Sequence, residues 1–296
     1  MKMKLLLLFS LPLLLCACHS LYKGAAPHRE RLRGIPLSVV FHYEKGKAPE
    51  ISIHRGGGTY PGYPENCLES IRHVARHGVR YFEIDICKTA DGKLVLLHDR
   101  SLDRTTTGKG LLSKKTYAEL RKLCLKDWNG KVTFYKIPLF SKVLRWEKAR
   151  SIILMLDRKD PLSWDTLLSV VKSRGAVGQC VVITYSAEEA RAVYRAHPEF
   201  FLVGMHNERE FHWMIESGIP TDKTLAFTGT KRSPRSLYGQ IHHRGIRAQL
   251  STLGNLDKRA VARRDDAVYR RYVREGIDIL ATDRPIEVAR ALGLAE

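Results

Sequence analysis

The chain has 296 residues, 44% hydrophobic and 27% charged, an ordinary globular composition with enough apolar material for one large core. Length alone allows one barrel or two smaller domains, but no internal repeat and no proline, glycine or serine run after Pro49 divides it, so one domain is the simpler reading. A net charge of +19 favours anionic partners; dispersed basic residues and the lack of a nucleic-acid-binding motif argue against nucleic acid, which leaves an anionic membrane face or a phosphate-bearing substrate.

Lys2 and Lys4 precede an apolar run over residues 5–15, too short to span a bilayer and read as the core of a signal peptide. The run ends in Leu15-Cys16-Ala17-Cys18, which resembles the bacterial lipobox, so residues 1–17 are expected to be removed and Cys18 to be diacylated as the mature N-terminus. Two acyl chains make a stable anchor. The protein is therefore expected to be exported and membrane-anchored, on the periplasmic or cell-surface side, with residues 18–48 a lipidated polar tether and 49–296 the folded domain. Loss of Lys2 and Lys4 leaves 48 basic against 31 acidic residues, a charge of +17. The later cysteines, Cys67, Cys87, Cys124 and Cys180, match no zinc spacing, and each is expected to be a buried free thiol.

From residue 50 short β-branched runs alternate with helical stretches, the pattern of βα units around a parallel sheet. Strands are predicted at 51–54, 79–86, 94–98, 152–157, 181–185, 201–205, 246–250 and 277–281. Eight is the number that closes a (β/α)8 barrel; a ninth run at 224–227 is assigned to a loop. Apolar stripes at helical spacing lie in 65–76, 165–172, 187–196, 208–215 and 267–274. The interval 100–138 is too long for a plain connection and is expected to be a subdomain inserted after the third strand, over the barrel mouth.

Candidate reactive groups sit where a barrel keeps them, at the C-terminal ends of strands. His54-Arg55-Gly56 ends the first, and Gly57 and Gly58 are expected to let the backbone approach a ligand. Glu83 and Asp85 share one face of the second strand. Facing inward they need a cation between them, and hard oxygen ligands suit Mg²⁺ or Ca²⁺; facing outward they form an ordinary wet surface, and periodicity does not choose. Asp91-Gly92 is a strong turn signal. A two-residue hairpin centred there would set His98 opposite Asp85 and add a histidine to the acidic pair.

Taken in order, His54-Arg55-Gly56, Pro64-Glu65-Asn66, Glu83-Ile84-Asp85, Thr89-Ala90-Asp91-Gly92, His98-Asp99, Arg104-Thr105-Thr106 with Gly108 and Gly110, Ile137-Pro138, Gly276-Ile277-Asp278 and Thr282-Asp283-Arg284-Pro285 resemble the motif series of the glycerophosphodiester phosphodiesterase family over roughly residues 50–293. The resemblance implies a (β/α)8 barrel that hydrolyses glycerophosphodiesters to glycerol phosphate and an alcohol. It implies His54 and His98 as acid and base, and one divalent cation held by Glu83, Asp85 and a third carboxylate. Asp157 in Leu156-Asp157-Arg158-Lys159 stands where the family has the glutamate of a Glu-x-Lys. Arg55 and Lys159 are the expected phosphate ligands. A second departure is Gln249-Leu250-Ser251-Thr252 in place of an aromatic-rich Trp-Thr segment, so a more polar pocket wall is expected, with Tyr185 and His206 available to compensate. Imidazole is the side chain suited to proton exchange near neutral pH. Competing readings are cleavage of an intact membrane lipid or inositol phosphodiester, and an inactive barrel that serves as a surface binding protein.

Overall fold

The computed structural model describes residue 32 and residues 34–147, 151–205 and 216–294. Cys18, His206 and the helix expected at 208–215 lie outside them. Among the described residues no helix is long and apolar enough to cross a membrane.

Eight parallel strands close into a barrel: β1 (Glu50–Ile53), β2 (Tyr81–Lys88), β4 (Ile153–Arg158), β5 (Cys180–Ile183), β6 (Phe201–Met205), β7 (Thr224–Phe227), β8 (Ala248–Ser251) and β9 (Ile279–Thr282). Each pairs with the next and β1 pairs with both β2 and β9, so the sheet has no free edge inside the ring. The fold class is as expected, but two strands change places. The 224–227 run is the barrel strand β7, while β3 (Leu94–Leu96) lies outside the ring and runs antiparallel to the end of β2. β1 spans four residues and β2 eight, so β3 takes the edge of β2 that continues beyond β1.

Alternation sorts the strand residues into two sets. Ile84, Ile86, Leu154, Leu156, Val182, Leu202 and Leu250 point out and are buried under the surrounding helices. Those helices include α2 (Leu68–Ala75), α3 (Trp164–Ser173) and α4 (Ala187–Ala196). Tyr81, Ile153, Met155, Val181, Phe201, Val203, Leu225 and Ile279 point in and fill the lower barrel. The short α1 (Leu37–Val40) and Phe41 close its floor: Phe41 is 1% exposed, its ring 4.9 Å from Phe201 and 5.3 Å from Tyr81. The tether expected to reach residue 48 is thus packed protein from Leu32 and residue 34 onward, because Leu32, Leu37, Val40 and Phe41 are apolar enough to cap an otherwise open barrel end.

After β3 the insertion forms its own small core from Val95, Leu97, Leu102, Leu112, Leu120, Leu125 and Ile137, with Cys67 and Cys87 against it. Cys67, Cys87 and Cys180 are buried free thiols, and Cys124 is partly exposed.

Candidate active site

The turn after β1 is built by close packing. A Cβ on Gly56 would lie 2.9 Å from Ile71 Cγ1, and one on Gly58 would lie 2.5 Å from Glu65 Cβ and 2.7 Å from its backbone N. The glycines therefore admit protein against protein, not a ligand as expected. Arg55 takes a left-handed conformation (φ 50°, ψ 36°). Its backbone N–H donates to Glu83 Oε2 at 2.7 Å and its guanidinium lies on Glu65 at 3.2 and 3.4 Å.

Glu83, Asp85 and Asp157 face the barrel interior, with β2 and β4 in register so that Asp85 lies beside Asp157. One oxygen from each lies within 4.8 Å of the others. At that separation two ionised carboxylates repel by roughly 3–4 kcal/mol at an effective dielectric of about 20. Lys159 offsets part of this, with Nζ 2.8 Å from Asp85 and 2.7 Å from Asp157; burial works against its charge, and the two carboxylates more than offset that and hold it above its ordinary value. Asn66, left-handed at φ 53°, clamps Asp85 from both sides, donating from Nδ2 to Oδ2 at 2.6 Å and accepting the Asp85 N–H at 2.9 Å. Tyr185 donates to Asp157 Oδ2 at 2.6 Å.

Glu83 carries the residual strain. Burial, then the Asp85 and Asp157 charges, push its carboxyl well above the usual carboxylate range. Glu83 Oε1 and Asp157 Oδ1 are buried with no hydrogen-bond partner in the structure. Hard oxygens, excess negative charge and two orphaned acceptors are the donor set that fits a divalent oxygen-loving cation.

Both predicted histidines line the same cavity of about 410 Å³ as these carboxylates and Lys159. Nδ1 of His54 lies 2.9 Å from Asp283 Oδ1, and Nδ1 of His98 lies 2.8 Å from Asp99 Oδ1. A carboxylate accepts only, so each bond fixes the proton on Nδ1 and leaves Nε2 for a ligand. His98 arrives by a different register from the one expected. Thr89 N–H bonds to Lys93 O and Gly92 is left-handed at φ 75°, which makes a three-residue loop that shifts the pairing by one. Leu97 N–H consequently meets Asp85 O at 3.1 Å, and His98 enters the cavity from the irregular chain after β3.

Several partners carry no expectation from the sequence beyond their place in a motif. Arg104, from the insertion, forks onto Asp99 (2.7 and 2.9 Å) and onto Glu65 (2.8 and 2.8 Å). It joins the base of His98 to the residue that holds Arg55. With Arg104 first and His98 adding to it, Asp99 is kept well below the usual carboxylate range. Arg55 itself does not line the cavity, whereas Tyr185 does. The opposite wall includes Phe227, Gln249 and Ser251. Gln249 Oε1 and Ser251 Oγ are buried there without partners, beside the apolar Ile183, Val203 and Phe227 of the same lining.

The model of the glycerophosphoryl diester phosphodiesterase family matches residues 54–219. A solved glycerophosphoryl diester phosphodiesterase from Parabacteroides distasonis is 32% identical, superposes with a TM-score of 0.82, and is covered over 92% of its chain by 88% of this one. A Mycobacterium tuberculosis protein named "Probable glycerophosphodiester phosphodiesterase 1" is 30% identical over 172 residues. That stretch is 51% of this chain and spans 61% of the relative's length. A phosphodiesterase of Oleispira antarctica, solved with the product sn-glycerol-3-phosphate, shares the fold at 20% identity and a TM-score of 0.66 over 83% of this chain and 97% of its own. A barrel with this ordered set of side chains at its C-terminal mouth, matched over more than half its length, belongs to the glycerophosphoryl diester phosphodiesterase family.

Proposed function

We propose that the chain hydrolyses glycerophosphodiesters to glycerol phosphate and an alcohol, with His54 and His98 making the two proton transfers and one divalent cation, Mg²⁺ or Ca²⁺, held by Glu83, Asp85 and Asp157. The observation that carries this reading is the pair of imidazoles, each fixed through Nδ1 by its own aspartate, in one cavity with a partly unneutralised three-carboxylate cluster. A bound divalent cation supplies neutralisation of the non-bridging phosphate oxygens. The chain's own groups do the rest. Lys159 adds a second positive charge to the phosphate site. Asn66 and Tyr185 hold Asp85 and Asp157 in place. Asp283 and Asp99 each stabilise the imidazolium that forms when His54 or His98 takes a proton, and the Nε2 atoms deliver and accept protons at the attacking and leaving oxygens. Lys159 lines the cavity and Arg55 does not, so Lys159 is the first phosphate ligand.

The test is turnover of a panel of glycerophosphodiesters by purified protein, before and after chelation. Activity lost with the chelator and restored by Mg²⁺ or Ca²⁺ is expected; a metal-replete protein that turns over none of them rules the reading out. Cleavage of an intact lipid or inositol phosphodiester is the competing outcome of the same panel. Replacing the acid histidine by Ala should cut kcat/KM for an alkyl diester by about 10²–10⁴-fold while sparing a nitrophenyl analogue, whose leaving group needs no proton.

The lipidated N-terminus belongs to the same proposal. Its support is Leu15-Cys16-Ala17-Cys18 after the apolar run. Cys18→Ser should move the protein from the membrane to the soluble fraction, and an unchanged distribution and N-terminal mass would remove the anchor.

A further inference from the structure

Four of the seven large hydrophobic side chains exposed among the described residues lie in the insertion: Leu111 (49%), Trp128 (62%), Val132 (52%) and Phe134 (96%). Three of them belong to one small hairpin. Lys126 bridges to Val132, and Asp127 N–H bonds to Lys131 O. The buried Asp127 pins the loop further, accepting the N–H groups of Asn129 and Lys131 at Oδ1 and that of Gly62 at Oδ2. Trp128 is thereby held in the hairpin loop, while Val132 and Phe134 stand exposed on the returning arm, which Leu125 ties down by accepting the Thr133 N–H and donating to Tyr135 O. This is a rigid apolar projection, tied through Gly62 to the loop that follows His54. A solvated surface gives no reason to expose it.

The charge around it names the occupant. Residues 100–138 hold ten basic side chains, Arg100, Arg104, Lys109, Lys114, Lys115, Arg121, Lys122, Lys126, Lys131 and Lys136, against three acidic ones, Asp103, Glu119 and Asp127. Asp127 is buried as the loop's own cap. Exposed aromatic and aliphatic side chains interleaved with lysines match a bilayer interface, where apolar groups enter the headgroup boundary and lysines meet anionic lipid. We propose that the Trp128–Phe134 hairpin and its lysines are a docking surface for anionic lipid bilayers. The contact uses no side chain of the catalytic cavity, so vesicle binding and turnover are independent measurements, and neither result decides the other.

The test uses the mature chain, residues 18–296 carrying Cys18→Ser, so that neither the apolar run over residues 5–15 nor an acyl chain contributes, and vesicles of phosphatidylcholine with and without phosphatidylglycerol. Co-sedimentation with the anionic vesicles, weakened by salt, is expected, with a blue shift of tryptophan emission that Trp128→Phe removes. Trp128→Ala with Phe134→Ala should weaken binding by about tenfold or more, and Lys131→Gln by about fivefold. Both substitutions lie on exposed side chains, so the thermal midpoint should not move, and turnover of a soluble nitrophenyl diester should stay at the wild-type rate. The proposal is overturned if the protein ignores anionic vesicles, if the double variant binds them undiminished, or if the same two residues instead sustain a dimer or a protein complex seen by light scattering.

Discussion

At the scale of single residues, the site is a set of destabilising choices. Glu83 is forced inward beside Asp85 and Asp157, and its raised carboxyl value fixes the sign of a pH effect. The folded metal-free protein keeps a proton on Glu83 that the unfolded chain releases near pH 4.3. Its stability therefore falls as pH rises from there through the raised Glu83 value. Gln cannot ionise, so Glu83→Gln should make the chelator-treated protein more stable than wild type at neutral pH and flatten the dependence of the midpoint on pH above the unfolded value of about 4.3. With Mg²⁺ or Ca²⁺ present the order should reverse, since only the wild type gains the binding free energy. Thermal unfolding across that pH range, with and without metal, checks both halves. A metal-free variant no more stable than wild type would mean that Glu83 is not the crowded member of the cluster.

Among the elements, the insertion completes the site through Arg104, which holds Asp99 and Glu65 in two forks. Arg104→Leu should leave His98 without a fixed aspartate and lower kcat/KM by about 10–100-fold, the range for loss of an orienting partner. Arg104→Lys should restore only part of it, because an ammonium cannot fork. Asp99 is held low mainly by Arg104, so its carboxyl should rise in Arg104→Leu, and an NMR titration of the Asp99 carboxyl reads that rise. A carboxyl that titrates as in the wild type while activity is lost would show that Arg104 supports the fold of the loop and not the charge of Asp99. None of these pairings was legible in the sequence: His54 meets Asp283 across 229 residues and Arg104 meets Glu65 across 39. The motifs identify which residues recur in order, but not which of them touch. Glu83 and Asp85 were ambiguous for a physical reason, since a barrel that is polar at its mouth reads like a strand with a wet outer face. β7 was missed because four residues, Thr224–Phe227, carry too little alternation to set them apart from a loop. β3 looked like a barrel strand because composition does not distinguish a hairpin arm from a ring member. The turn after β2 was readable from Asp91-Gly92, but its register was not, and one residue decides which side chain meets Asp85.

Across the whole molecule, the catalytic and structural ends are opposed: the cavity lies at the C-terminal ends of the strands, and Phe41 fills the N-terminal end. Phe41 is 1% exposed and packs on Phe201 and Tyr81. Truncating such a ring removes its transfer free energy and leaves a cavity, a cost of about 3–5 kcal/mol. For a domain of this size that corresponds to a fall of roughly 6–20 °C in the midpoint. Phe41→Ala should therefore unfold much earlier while retaining kcat/KM within about twofold at temperatures well below its midpoint, because the rings it packs on, Phe201 and Tyr81, do not line the cavity. A flexible tether would behave otherwise. If residues 34–48 only linked an anchor to the barrel, the substitution would leave the midpoint where it is and deletion up to residue 48 would be silent. Thermal unfolding of the single variant, paired with turnover at low temperature, separates the two. A large loss of stability with preserved turnover marks the segment as the barrel's floor. An unchanged midpoint would show that the floor residues are dispensable, and that the inward-facing layer of Tyr81, Ile153, Val181, Phe201, Leu225 and Ile279 closes the barrel without them.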